Sequence, residues 1–463
     1  MKEVIAIFDI GKTNKKILLF DKALQLVFQE EQKFEELTDE EGFSCDDLDK
    51  IESWMVDTIQ RITQDPHYTV KAINFATYGA SLVYIDANGK RLTPVYNYLK
   101  PMPDDVLTDF YEAYGGVEEF SRVTASPALG MLNSGLQILW LKKKKPELFQ
   151  AVKHVMHLPQ YLSYQITGKV CSEYTSIGCH TALWNFEKGD YHPWLAKENI
   201  SLPSPVANSC TFPYSVNGQK IPVGIGIHDS SSSLAPYLEG SNEKFILIST
   251  GTWCIFMNPF NDEALTADQL KKDTLCYLSV QQRQVKSSRL FLGHIHDVNV
   301  QRLSTHFMVP ENSFMEVKPD EEKLWKLLVK SKKETIFFQK GVPTNFIDDI
   351  VDLNQFKNFE DAYHQLMIDI TGLALESLKL VTPKNDDTKA LYISGGFSRN
   401  DLFIRLLATA VPNKAVYTSE VDNATALGAA LVIRTRNEGT TKNINLGLKK
   451  VSPYRIKGLQ LPL

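Results

Sequence analysis

The sequence predicts an α/β protein of two domains, and three observations lead there. At 463 residues the chain exceeds what one small core can organise, so two domains of roughly 200 residues each are expected. Its opening reads as strands, then a helix, then more strands, which suits a mixed sheet rather than a helical bundle. A strand, polar turn, strand layout also occurs twice, first from Phe8 to Phe20 and again from Phe245 to Phe256. The repeat is one of architecture, not of residue identity.

The elements follow in order. Val4-Ile5-Ala6-Ile7-Phe8 is an apolar run ending at Asp9, followed by Ile17-Leu18-Leu19-Phe20 and by residues 24–29. Leu48, Ile51, Met55, Ile59 and Ile62 recur at helical spacing, with a cap expected at Ser44. Residues 72–76 and 81–85 read as strands, and Asn88-Gly89 as a tight turn. From about 104 to 200 the pattern is mostly helical. Within it Lys142 to Lys145 close an apolar helical stretch before Pro146, where solvated cations face the negative end of the helix dipole. Leu202-Pro203-Ser204-Pro205 then punctuates the chain. One buried strand is expected from Ile221 to Ile227, running into His228-Asp229 and four serines. Glu239-Gly240-Ser241-Asn242 reads as a linker, which divides the chain into residues 1–238 and 239–463. In the second part a long helix (Tyr363, Leu366, Ile370, Leu373, Leu378) precedes the strand Leu391-Tyr392-Ile393, Gly395-Gly396 and a further helix.

Composition excludes several classes. The chain is 43% hydrophobic and 23% charged, an ordinary globular balance, and its net charge of -5 offers no basic footprint for nucleic acid or an anionic membrane. No apolar stretch approaches the roughly 20 residues that cross a bilayer. Met1-Lys2-Glu3 leads straight into a strand, so no signal peptide is expected. The six cysteines form no CxxC pair and no disulfide framework, which points to a reduced, cytoplasmic protein.

Four stations carry candidate chemistry. Asp9-Ile10-Gly11-Lys12-Thr13-Asn14-Lys15-Lys16 puts a carboxylate at a strand end before a Gly turn. Backbone N–H groups and Thr13 can approach phosphate oxygens, Lys12 or Lys16 can neutralise charge, and Asp9 can hold Mg²⁺ through water. A polar hairpin turn with solvated lysines would look similar. Ser249-Thr250-Gly251-Thr252 is a comparable turn in the second half, and two such turns suit a nucleotide clamped between them. Gly224-Ile225-Gly226-Ile227-His228-Asp229-Ser230 places Asp229 where a buried strand meets a helix. There it can take a proton from a hydroxyl attacking a phosphate, cap the helix, or do both. Ser394-Gly395-Gly396-Phe397 lets backbone lie close to a planar group or phosphate, though Gly-Gly turns are common. His294-x-His296-Asp297 and Cys179-His180 lack the ligand sets of zinc sites, and GxxxxGK[ST] is absent.

Taken in this order, the stations resemble the FGGY family of carbohydrate kinases over nearly the whole chain, from Val4 to about Ile433. The resemblance implies two ribonuclease-H-like (actin-like ATPase) domains with a cleft between them and a helical insertion in the first. It implies ATP and Mg²⁺ as cofactors, a sugar-binding first domain and a nucleotide-binding second. Residues 9–16 resemble the first phosphate loop, Ser249 to Trp253 the second, Ser394 to Asn400 the adenosine motif, and Ala424 to Ala430 the helix closing the C-terminal domain.

By the same resemblance Asp229 is the catalytic base, and Gly79, His228 and Ser230 contact the sugar. Lys12, Thr13, Asn14, Lys16, Gly251, Thr252, Gln301, Gly395, Gly396 and Asn400 contact ATP, and Asp9 the metal. His157 to Gly168, Glu173-Tyr174-Thr175 and Gly251-Thr252-Trp253 look closest to L-rhamnulose kinases, which implies a small ketose as partner, with L-fuculose or another ketose or polyol as the alternative. Many members are homodimers. Two segments depart from the pattern. Tyr96-Asn97-Tyr98-Leu99-Lys100-Pro101 stands where Asp-x-Arg is usual, and Lys12, Asn14 and Lys15 stand where small residues are usual. Outside the kinase reading, an actin-like switch without sugar phosphorylation and a metal hydrolase on His294, His296 and Asp297 are the alternatives.

Overall fold

The computed structural model describes residues 1–327, 335–434 and 444–455. The first half is built on a mixed seven-stranded sheet. Its strands are β1 (Lys2–Ile10), β2 (Lys15–Asp21), β3 (Leu26–Gln32), β4 (Tyr68–Thr77), β5 (Thr211–Val216), β6 (Gln219–Gly224) and β7 (Ile227–His228). The order is β5-β6-β4-β1-β2-β3, with β7 also beside β4. β1, β2 and β3 are antiparallel neighbours, whereas β4 runs parallel to β1, and β6 and β7 parallel to β4.

The second half repeats this plan with β8 (Phe245–Thr250), β9 (Cys254–Asn258), β10 (Thr274–Leu278), β11 (Gln284–Leu290), β12 (Ala390–Gly395), β13 (Ala415–Thr418) and β14 (Lys449–Lys450). Their order is β10-β11-β9-β8-β12-β13-β14. β8 and β9 form the hairpin, and β12 and β13 continue in parallel. The two ribonuclease-H-like units predicted from sequence are present.

Side-chain alternation explains how each sheet is covered. Along β1, Val4, Ala6, Phe8 and Ile10 pack on Leu48, Ile51, Met55, Ile59 and Ile62 of helix α1 (Leu48–Gln64). Ile7, from the opposite face, packs on a helix of the other half, α7 (Ala424–Ile433). Successive strand residues point to opposite faces, so a strand covered on both sides reads as one unbroken apolar run. β8 obeys the same rule. Ile246 and Ile248 face helix α5 (Phe359–Val381), while Phe245 and Leu247 face Leu234 and Tyr237 of α3 (Asp229–Gly240).

The covering helices are therefore exchanged. α3 leaves the first sheet and packs on the second, and α7 (Ala424–Ile433) leaves the second and packs on Ile7, Leu18, Phe20, Ala76 and Ile227 of the first. The family resemblance makes α7 the helix closing the C-terminal domain, and the structure packs it on the first sheet. The two helices meet backbone to backbone, since a Cβ on Gly428 would lie 1.9 Å from the Ser232 carbonyl oxygen. Ser232 Oγ also donates to the Thr425 carbonyl at 2.6 Å.

Several local expectations are corrected. The cap of α1 is Asp47, which accepts from the Lys50 N–H at 3.1 Å, while Ser44 sits in a short strand. The strand expected over 221–227 breaks into β6 and β7 at Gly226, where φ is +81° and a Cβ would meet the Pro159 carbonyl oxygen at 2.5 Å. Glu239 and Gly240 end α3 rather than forming a linker. The region 104–200 is mainly helical, as read, and includes α2 (Ser134–Lys144). Its basic run is paired rather than merely solvated: Lys142 with Glu198, Lys143 with Asp109, Lys144 with Asp105 and Lys145 with Glu40.

The exchange leaves no room for a side chain at Gly428. Gly428→Val is expected to cost about 1–3 kcal/mol through forced separation of α3 and α7. A denaturation midpoint unchanged from wild type would contradict this packing account.

Candidate active site

Strand register gathers the first group of candidates. Asp9 on β1 is level with Ala76 on β4, which is level with Ile227 on β7; Ile10, Thr77 and His228 form the next row. Three parallel strands thus end together, delivering Asp9, the Tyr78-Gly79 loop and Asp229 to one edge. Carboxyl ends of parallel strands are where open α/β sheets bind ligands. Burial pushes the Asp9 carboxyl up to about 6, the Asp229 charge adds to the rise, and Lys16 offsets part of it. Both carboxylates therefore act in one electrostatic field.

Asp229 stands at the first turn of α3 with its side chain 34% exposed. Its Oδ1 accepts from the Ser230 N–H at 2.6 Å and from Ser230 Oγ at 3.2 Å. The helix cap is the buried ring of the preceding residue, since His228 Nδ1 accepts from the Ser230 N–H at 3.2 Å. The capping role considered for Asp229 is thus held by His228, which leaves the carboxylate facing outward. The Nε2 edge of the His228 ring lies over Gly79. A Cβ at Gly79 would come within 2.4 Å of that nitrogen, so only glycine fits.

Behind this edge lie residues the sequence reading did not select. The His228 N–H donates to Thr175 Oγ1 at 3.0 Å, and Thr175 in turn is held by buried Glu173. Burial keeps the Glu173 carboxyl at about 6 although Thr175 and Ser176 donate to it. Cys179 interacts with both His180 and His228, which places the Cys179-His180 pair beside the sugar candidates. The cue in the sequence was the Glu173-Tyr174-Thr175 segment, read there only as a family likeness, which the fold brings under His228.

The first turn closes through the Gly11 N–H and the Asn14 carbonyl at 2.9 Å. Thr13 is exposed, and the buried Asn14 Oδ1 has no hydrogen-bond partner among the described residues. Lys16 reaches Glu31 at 3.9 Å, whereas Lys12 is bound to Asp46 and Glu36.

The second group forms around Thr250. The Gly251 N–H donates to the Trp253 carbonyl at 2.9 Å, leaving Gly251, Thr252 and Trp253 exposed. Thr250 Oγ1 donates to the Ser394 carbonyl at 2.5 Å and accepts from the Phe397 N–H at 3.0 Å, fixing the Gly-Gly turn to the hairpin. Gly395 has φ +87°, and a Cβ there would lie 1.7 Å from the Thr250 carbonyl oxygen. Gly396 is exposed with open space where a Cβ would be.

Two further ATP candidates are engaged by protein groups. Asn400 caps helix α6 (Asp401–Ala410), accepting from the Phe403 N–H at 3.1 Å, and its amide donates to the Tyr363 hydroxyl at 2.9 Å. Gln301 is exposed on helix α4 (Leu292–Phe307) and reaches Glu311 at 3.4 Å. It belongs to neither group by any direct contact in the structure. His296 is buried against the Tyr363 hydroxyl, and His294 stacks on Phe291. Among the described residues no three metal-binding side chains converge.

The donor set fits Mg²⁺ delivered with a polyphosphate. Asp9 offers a hard oxygen donor in the acidic field it shares with Asp229, and Mg²⁺ is usually held by one or two carboxylates plus phosphate and water.

Comparison with known proteins agrees with this plan. Residues 4–208 match the N-terminal domain, and residues 361–433 the C-terminal domain, of the FGGY family of carbohydrate kinases. A rhamnulokinase of Yersinia pestis (strain Pestoides F) is 25% identical over 265 residues, covering 53% of this chain and 52% of that protein. The chain thus spans about half the length of the curated relatives it matches. A carbohydrate kinase from Novosphingobium aromaticivorans superposes with a TM-score of 0.78 at 23% identity, covering 98% of this chain and 94% of that one. For a xylulose kinase from Lactobacillus acidophilus the values are 0.75, 17%, 98% and 94%. At these identities the two structures establish the fold.

The raised Asp9 carboxyl makes a pH-dependent prediction. A carboxyl whose folded pKa lies above its unfolded value contributes stability below the unfolded pKa, and that contribution is lost as pH rises through about 6. Asp9→Asn should therefore become more stable than wild type as pH rises from 5 to 7.5, by on the order of 2–3 kcal/mol at the upper end. Thermal unfolding of both proteins across that range checks it; a difference independent of pH would count against a buried Asp9 carboxyl raised in this way.

Proposed function

The chain belongs to the FGGY family of carbohydrate kinases, and from that membership we propose that it transfers the γ-phosphoryl group of ATP to a hydroxyl of a small ketose, with L-rhamnulose the leading substrate and Asp229 the general base. The observation that carries the reading is the alignment of three strand ends, which sets an outward-facing Asp229 beside Gly79 and Asp9.

In this reading the ketose sits over Gly79, against His228 Nε2 and Ser230. Asp229 accepts the proton of the attacking hydroxyl, the new O–P bond forms, and the bond to the ADP oxygen breaks. General-base help of this kind contributes about 10²–10⁴ in rate, and positioning with charge neutralisation supplies much of the remainder. Lys12, Thr13, Asn14 and Lys16 serve the phosphates from the first turn, and Gly251 and Thr252 from the second. Gly395 and Gly396 offer flat backbone to the adenosine, while Gln301 and Asn400 are assigned to ATP on the family resemblance alone. Mg²⁺ beside Asp9 would neutralise phosphate charge. Residues 1–238 would then form the sugar half and 239–463 the nucleotide half. The six cysteines are all free thiols, which suits a cytoplasmic enzyme.

L-Rhamnulose rests on the rhamnulokinase relative and on His228-Asp229-Ser230 and Gly251-Thr252-Trp253. Lys100 is the basic residue of the unusual segment over 96–101. It is buried on Asp39 at 2.6 Å, with the Phe43, Tyr96 and Trp140 rings 5.0–5.2 Å away. That difference keeps L-fuculose as the alternative, because a polar pocket distinguishes such isomers through individual hydroxyl contacts.

ADP release with ATP and Mg²⁺ against L-rhamnulose, L-fuculose, L-ribulose and xylulose tests the proposal, and strong stimulation by one ketose is expected. Asp229→Asn should lower turnover at least about 10²-fold while retaining ADP binding. More than about a tenth of wild-type turnover in that variant would remove Asp229 as the base.

A further inference from the structure

The first turn carries Lys12 and Lys15 where small residues are usual, and the structure gives both to one carboxylate. Asp46 precedes α1 in the chain and lies against the turn. Its Oδ1 pairs with Lys15 Nζ at 2.9 Å; its Oδ2 pairs with Lys12 Nζ at 2.8 Å and accepts from the Tyr78 hydroxyl at 2.5 Å. Lys15 also donates to the Lys12 carbonyl at 2.9 Å, so the same ammonium fixes the turn's backbone. Tyr78 adjoins Gly79, and one carboxylate therefore touches both the phosphate turn and the sugar-side loop.

The two lysines differ in what their departure would leave behind. The Lys15 and Asp46 side chains are 2% and 5% exposed, so separating them strands a buried charge. Lys12 is 25% exposed, and its second partner, Glu36 at 2.6 Å, is 42% exposed. If Lys12 leaves, Asp46 keeps Lys15 and Tyr78, and Glu36 returns to water. Burial acts against both charged forms, yet the mutual hydrogen bonds hold Asp46 below the usual carboxylate range and Lys12 above the usual ammonium range.

We propose that Asp46 is a positioning residue for the first turn, anchoring it through Lys15 and presenting Lys12 as an exchangeable cation that leaves Glu36 for the polyphosphate of a bound adenine nucleotide. The inference rests on the kinase reading of that turn. Glu36 then acts as a built-in competitor for Lys12, and the charge set aside by Lys15 is structural.

Equilibrium binding of ATP, without sugar, to the full-length protein and its variants tests this. Glu36 is exposed, so Glu36→Gln should fold normally and tighten ATP about two- to fivefold, the scale of a lost exposed ion pair. Lys12→Met should weaken ATP about tenfold, and adding Glu36→Gln to it should change nothing further. Asp46→Asn should weaken ATP and raise the KM for the ketose together; if that variant does not fold, the Lys12 and Glu36 cycle still decides. An ATP affinity unmoved by Glu36→Gln, or moved equally with Lys12 already removed, overturns the inference and leaves the kinase reading intact. A wild-type protein that binds no adenine nucleotide overturns both.

Discussion

The fold depends on one close approach, that of α3 and α7 at Ser232 and Gly428. Each sheet has one face covered by a helix of its own half and the other face by a helix from the opposite half. Without α7, Ile7, Leu18 and Ala76 would face water; without α3, Phe245 and Leu247 would. Neither core is complete alone, and the small residues at the crossing let both helices reach their sheets at once. Asp229 begins α3, so the same contact that joins the halves also fixes where the candidate base stands.

Much of this was legible in the sequence because it rests on short-range patterns. Unbroken apolar strands, the two glycine-containing turns and the long helix over 359–381 are local signals with one physical reading each. What escaped needed a distant partner. The chain breaks at Gly226 because the Pro159 backbone lies against it, and no pattern around 226 announces Pro159. The lysines at 142–145 look like a solvated helix end until the fold supplies Glu198, Asp109, Asp105 and Glu40. α7 is apolar on all sides, which says that it is buried but not which sheet it covers.

The candidate site divides in the same way. Asp9 and Asp229 announce themselves as carboxylates closing buried strands, and register then unites them. Gly79 has a reason only in three dimensions, under the His228 ring. Asn400 is a helix cap with its amide on Tyr363, a role its position after Gly-Gly does not reveal. Asp46 lies 34, 31 and 32 positions from Lys12, Lys15 and Tyr78, so nothing nearby in the chain marks it as their shared partner.

These contacts give the edge a definite electrostatic character. Lys12 and Lys15 raise the apparent positive charge of the first turn, but Asp46 and Glu36 neutralise them within hydrogen-bonding distance. Asp9 and Asp229 are left in one field with Lys16 as the offsetting cation, and burial first, then the Asp229 charge, raises the Asp9 carboxyl. The lysines of the first turn, Lys12, Lys15 and Lys16, each have an acidic partner. On the kinase reading, charge balance then requires that the nucleotide bring a divalent cation, draw Lys12 from its acidic partners, or do both. The departures of the first turn from the family pattern thus follow one logic: positive charge is stored beside the site in paired form, where bound phosphate can call on it without leaving a buried ion unpaired.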